Sequence, residues 1–367
     1  MLRTCLVAFA VALLVGAPVH AAAQVGTPAV KSIEAIAFGP DGLLLIGDGK
    51  GAQVIAVETG DTKMSEWTVK EIVDIKGQLA GRLGTMGKGI EIKKLAVNPA
   101  SRKAYIAVRK LDGKNDIILT VAGDGKIGEF ALENVKHAVY ALPTEEKAPL
   151  LRITDLTWTD GRILVAGEAK ATFGSKIFTI TTTGSAACFS TETYHVAHGK
   201  WETRAPLQTV IPYEANGKKY VVGAFTCTPI VKYPLEDMTA GAQVKGTSVI
   251  ELGYGNTPRD MFIYEKDGKG YILLSVVRLG FAKNDPVGPS PYWVARVDLD
   301  LLKETDKVNE KAIRRTGAKA NENKTDRAGV AQDYFGVMNM DRLNATQALV
   351  IRNDGKDNIS LAVLALP

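Results

Sequence analysis

Residues 33–61 read IEAIAFGPDGLLLIGDGKGAQVIAVETGD, and their grammar decides the fold. In IEAIAF apolar residues alternate with others, as in a strand with one buried face. Pro40-Asp41-Gly42 supplies residues suited to a tight turn. LLLIG follows, apolar on both faces, as a strand between two packed layers should be. A second turn then leads into QVIAVET, which alternates again.

The same unit recurs along the chain. It returns in residues 92–110 (IKKLAVNPASRKAYIAVRK), 153–184, 207–237, 259–277 and 334–366. Asp160-Gly161, Asn216-Gly217 and Asp267-Gly268 take the place of the first turn. Antiparallel units of three or four strands, spaced roughly 50 to 75 residues apart, predict propeller blades. The expected fold is all-β: a β-propeller of six or seven four-stranded blades with a short helical insertion. The terminal strand SLAVLAL is expected to close the ring with the segment around Val30. A pair of β-sandwiches is the rival architecture, and it gives no reason for one unit to recur so often.

Two segments depart from the pattern. In residues 65–84, Ile72, Ile75, Leu79 and Leu83 fall on one helical face, with Ser65 as cap and Gly84 as stop. Residues 303–327 are charged and poor in large apolar side chains, which predicts a solvated insertion or a docking element.

The chain opens MLRTCLVAFAVALLVGAPVHAAAQ. Arg3, an apolar run over residues 6–17 and Ala21-Ala22-Ala23 have the order of a secretory signal peptide. Residues 1–23 are therefore expected to be removed, leaving residues 24–367 as one domain, periplasmic or secreted, with no membrane attachment. Arg3 is the only charged residue in the leader, so the surplus of 45 basic over 40 acidic residues shrinks by one. No basic stripe interleaves with aromatics, which argues against nucleic acid. A monomer serving a small molecule or another periplasmic protein is the expectation.

Past the leader only three histidines remain, and two lie in YHVAHGKWETR, residues 194–204. Histidine is the commonest transition-metal ligand, and a His-x-x-His spacing brings two imidazoles within reach of one ion. The blade that follows carries Thr226-Cys227-Thr228-Pro229 at a turn facing the same mouth. His195, His198 and Cys227 are thus candidate ligands for zinc or copper. Hydrogen-bonding histidines and a packed thiol are the alternative, as is a Cys188–Cys227 disulfide, which excludes Cys227 from a metal site.

A second set lies at the starts of the inner strands: Lys93, Lys94, Asp155, Arg204, Arg259 and Asp260. Asp48, Lys50, Ser175 and Lys176 are expected on adjoining turns. Opposed charges around a pore can bind an anion or act as acid and base; salt bridges tying blades together are the other reading. On the catalytic reading His195 or His198 is ligand or general base, and Asp155, Arg259 and Asp260 orient substrate. Asp48, Lys50, Trp201, Arg204 and Thr226 are the candidate ligand contacts. Phosphate loops, Gly-x-Ser-x-Gly and His-Glu-x-x-His are absent from the sequence.

AFGPDGLLLIGDGKGAQVIAVETGD, YHVAHGKWETRAP and YVVGAFTCTPIVKYP resemble stretches of exported bacterial β-propeller proteins. The first is also similar to blades of NHL-type, streptogramin-lyase-like and SMP-30-like propellers. That resemblance implies the fold, and because those families include calcium-dependent lactonases and lyases it leaves calcium open as a cofactor. Three functions stand: a binding protein at the mouth of the blade starting near Leu207, a metal-dependent enzyme (lyase, hydrolase or oxidoreductase) on the same face, or an interaction scaffold using residues 303–327.

Overall fold

The computed structural model describes residues 23–113, 115–181, 183–253, 255–278, 290–311, 326–356 and 358–367. The expected leader cleavage and most of the charged insertion lie outside them. The described strands form six sheets arranged as a six-bladed β-propeller. Lettered by order of their inner strands in the chain, these start with Ala35–Phe38 (blade A), Ile90–Val97 (B), Leu150–Thr159 (C), Leu207–Ala215 (D), Asn256–Lys266 (E) and Val337–Arg342 (F). Around the ring the order is A, C, D, E, F, B.

Apolar residues on both faces of the middle strands hold the ring together. In Leu43–Asp48, Leu45 packs with Ile153 and Leu156 of blade C, while Leu44 and Ile46 pack with Tyr105 and Ala107 of blade B. Every pair of neighbouring blades shares such a cluster. Burial at about 25 cal/mol per Å² of apolar surface makes these six interfaces the main stabilising term. The first turns behave as their residues require: Asp160-Gly161, Asn216-Gly217 and Asp267-Gly268 all have positive φ at both positions, the conformation that matches the twist of a tight hairpin.

Ring closure differs from the expectation. The terminal strand Ile359–Ala365 pairs with Glu71–Ile72, not with the segment around Val30. Val30 packs instead between blades A and B. The chain lays down four strands of blade A (Gln24–Gly26, Ala35–Phe38, Leu43–Asp48 and Gln53–Glu58), crosses to finish blade F at Glu71–Ile72, builds blade B, and returns at Val135–Ala141 to complete blade A between Gln24–Gly26 and Gln53–Glu58. The predicted helix is correspondingly shorter, Ile75–Arg82, capped by the Asp74 side chain, which accepts from the Gly77 amide at 3.1 Å. Ser65 is not its cap; it bonds the Ser101 carbonyl. The residues before Asp74 are rich in β-branched side chains (TVKEIV) and serve the sheet edge instead. Ile75 and Leu79 are buried, and Gly84, with φ +69°, follows the helix end as expected.

Candidate functional site

Each inner strand has one paired edge and one edge facing the channel, where backbone amides need other partners. Carboxylates from neighbouring blades supply them. Asp116 accepts from the Ile33 amide, Glu34 from Ile153, Asp155 from Val210, Asp260 from Met340 and Asp341 from Val97, all at 2.7–3.0 Å. Five inner strands carry a bulge or register shift at the same level, next to Lys94, Asp155, Thr209, Asp260 and Asn339. A bulge re-aims a side chain, and here it accompanies polar groups at the centre of the ring.

Lys94 stands at that centre. Its ammonium lies 3.0 Å from Asp155 and 2.7 Å from Asp260. Burial opposes its charge, but the two carboxylates outweigh burial and hold Lys94 firmly protonated. Asp155 and Asp260 thus each use one oxygen for a blade-to-blade link and turn the other to Lys94. Arg259 donates to the Met338 carbonyl at 2.8 Å and lies over the Tyr292 ring. A cavity opens on each side of this cluster. On the side where the inner strands begin, a space of about 390 Å³ is lined by Lys50, Lys93, Lys94, Arg109, Arg152 and Arg259, with Glu34 and Asp260 as its acids. Asp116 pairs with Lys93 and Arg109, and Glu168 with Arg152. Among the described residues no carboxylate pairs with Lys50 or Arg259. Burial pulls the Lys93 pKa down, Asp116 pushes it up, and Arg109 pulls it down again; the balance lies below the ordinary lysine value.

The opposite side holds a larger cavity of about 570 Å³, with Phe38, Leu156, Ile211 and Met261 among its apolar walls and Lys94, Asp155, Asp260 and Asp341 on its floor. Burial raises the Asp341 carboxyl to about 6. The Val97 and Arg342 amides pull the other way, and the nearby Asp260 adds to the rise.

A second cluster lies away from the channel, between blades C and D. His195 ends the strand Ala186–His195, a single turn carries His198, and the return strand Lys200–Glu202 brings Glu202 back beneath both. The two imidazoles stack with centroids 5.3 Å apart. His198 Nδ1 is 2.8 Å from Glu202 Oε1, and His195 Nε2 is 3.5 Å from Glu202 Oε2. Burial lowers the His195 pKa, Glu202 raises it and His198 lowers it, so the ring is held neutral. Glu251, fully buried on blade D, faces His195 Nδ1 at 3.9 Å, and its other oxygen accepts from the Ala197 amide. Burial pushes the Glu251 pKa up.

The structure brings together only part of the expected sets. Among the described residues the cluster with metal-ligand spacing is His195, His198 and Glu202, and Cys227 is not in it. Cys227 sits in a turn with φ +69°, its amide bonded to the Asn256 carbonyl. Cys188 and Cys227 are both free thiols, so the alternative disulfide is not formed. Thr226 opens the same turn, half-buried. Asp48 is fully buried and accepts from the amides of Lys31, Ser32 and Gly51 and the side chains of Ser32 and Gln53; its role is to shape a turn. Ser175 and Lys176 bond Thr191 and Ser190 within blade C, away from the channel. Arg204 is exposed, and Trp201 packs edge-on against Tyr194 beneath the Lys245 ammonium. Sequence reasoning missed Glu202, Glu251, Asp116 and Asp341. Glu202 alone had a signal, its place in the histidine-bearing stretch YHVAHGKWETR.

No protein-family model matches the chain, and no curated protein matches it. Among solved structures it is similar to Bacteroides ovatus xyloglucan PUL GH43B, with TM-score 0.33, 12% identity, and coverage of 72% of this chain and 50% of that one. The GH43 endo-arabinanase from Bacillus licheniformis gives 0.35, 14%, 72% and 90%. A Pseudomonas brassicacearum lignostilbene dioxygenase gives 0.32, 10%, 91% and 72%. At these values the likeness bears on neither activity nor substrate.

Proposed function

We propose that this is an exported, periplasmic or secreted propeller that binds a small anionic molecule in the cavity where its inner strands begin. The excess of cations there carries the reading: Lys50 and Arg259 lack carboxylate partners, and Lys93 is crowded by Arg109. Low-dielectric walls around a surplus of positive charge focus its field and favour an entering anion. Lys50 is exposed at the rim and would meet the ligand first, while Gln208 and Thr257 offer neutral hydrogen bonds. Calorimetric titration with inorganic phosphate and with di- and tricarboxylates tests it. The expected result is binding by at least one of these that weakens with added salt and falls at least tenfold in Lys50→Glu. Binding that ignores both salt and Lys50→Glu, or no binding of any of these anions, overturns it.

Acid–base catalysis in the larger cavity is the second reading, favoured by the Asp341 carboxyl at about 6 beside a charged Lys94. A carboxylate that titrates near neutrality, in a partly apolar cavity, is suited to act as general base. A screen of esters, lactones and glycosides should reveal turnover that disappears in Asp341→Asn. Turnover unaffected by that change would remove the reading.

A further inference from the structure

The cluster between blades C and D takes no part in the channel. It contains buried polar atoms that the protein itself leaves unsatisfied. Among the described residues neither ring nitrogen of His195 has a hydrogen-bond partner, although the residue is only 2% exposed. Glu251 Oε1 is likewise buried and unpartnered. Buried polar groups are nearly always paired; His195 Nδ1 and Glu251 Oε1 face each other at 3.9 Å and can close on one another, so Nε2 is the atom that points to a partner the protein chain does not supply.

We propose that His195, His198 and Glu202 bind a divalent transition metal, zinc, and that Glu251 positions His195 without touching the ion. One ligand atom from each of the three residues lies within 4.8 Å of the others. Zinc with bonds of 2.0–2.2 Å needs tetrahedral ligand separations of about 3.3 Å, which small side-chain rotations provide. The ion would take His195 Nε2, the edge of the ring that faces Glu202. The opposite edge, Nδ1, faces Glu251, and a carboxylate accepting that N–H fixes the tautomer and makes the ring a better donor. Two imidazoles and a carboxylate suit zinc, whereas calcium requires six or more oxygens. His198 is 42% exposed, so the site faces water and leaves a fourth position for it.

The test is calorimetric titration of zinc into tag-free mature protein stripped with a chelator, with thermal melts alongside. One zinc per chain is expected, undisplaced by millimolar calcium. His198→Ala should weaken binding at least 100-fold. Glu251→Gln should weaken it 10- to 100-fold at unchanged stoichiometry, and Cys227→Ser should change nothing. If His198→Ala melts abnormally, Glu202→Gln takes its place with the same expectation. Absent zinc binding, binding unaltered in the ligand variants, or binding lost in Cys227→Ser would each overturn the proposal.

Discussion

The Asp155 carboxylate accepts from the Val210 amide at 3.0 Å and from the Thr209 hydroxyl at 2.7 Å, joining the inner strands of two adjacent blades. Val210 lies on the unpaired edge of its strand, so no other strand serves this amide. Asp155→Ala should therefore lower stability by about 3–5 kcal/mol, the cost of orphaning buried partners, one of them charged. Asp155→Asn keeps an acceptor for Val210 and should lose less than half as much. Urea denaturation of the two variants measures the difference.

Lys94 neutralises two carboxylates that belong to different blades. Lys94→Met leaves Asp155 and Asp260 buried without their counter-ion, and removing one partner of a buried pair costs about 3–5 kcal/mol. The loss should be partly recovered in Lys94→Met/Asp260→Asn, because that pair of changes removes one of the orphaned charges. Additive losses in a double-mutant cycle would contradict the coupling.

Asp341 makes a pH-dependent contribution of predictable sign. Its folded pKa of about 6 lies above the unfolded value of about 3.9. The folded state therefore binds the extra proton between those values, and stability falls as pH rises through about 6. Asp341→Asn should be more stable than the parent at pH 8, by about 1–2 kcal/mol, and equal to it near pH 4. Melting temperatures of both proteins across that range decide the matter.

Gly123 abuts the segment that closes the ring. A Cβ there would lie 2.0 Å from the Glu66 carbonyl oxygen, which is backbone and cannot rotate aside. The Gly123 carbonyl also accepts from the Thr68 and Val69 amides. Gly123→Ala should displace this segment, cost about 2–4 kcal/mol, and expose the Ile72 and Leu361 amides to hydrogen exchange ahead of the other blades.

Much of this architecture is legible in the chain. Leu44, Leu45 and Ile46 cannot all face one side of a strand, so LLLIG announces two packed layers. Asp160-Gly161 and its equivalents announce the hairpins. The crossing of residues 65–72 to blade F is not legible, because Ile72 and Ile75 suit a helix face as well as a sheet edge, and only Ile75 joins the helix. His195 and His198 advertise themselves by rarity and spacing. Glu251 does not: it lies 49 positions beyond Glu202 and meets His195 only because two blades are neighbours. Asp116 and Asp341 look like ordinary hairpin acids until the ring places each opposite another blade's amide.

The interleaved chain path has a consequence for synthesis. Residues 71–72 emerge early but must wait for residues 359–365 before they have a partner, and the first four strands of blade A, Gln24–Gly26 above all, must wait for residues 135–141. No blade-by-blade assembly from the amino terminus completes these two sheets. Contacts of such sequence separation slow folding and prolong the life of open sheet edges. Loss of the last strand, Ile359–Ala365, leaves residues 71–72 without their sheet partner although they lie near the other end of the sequence.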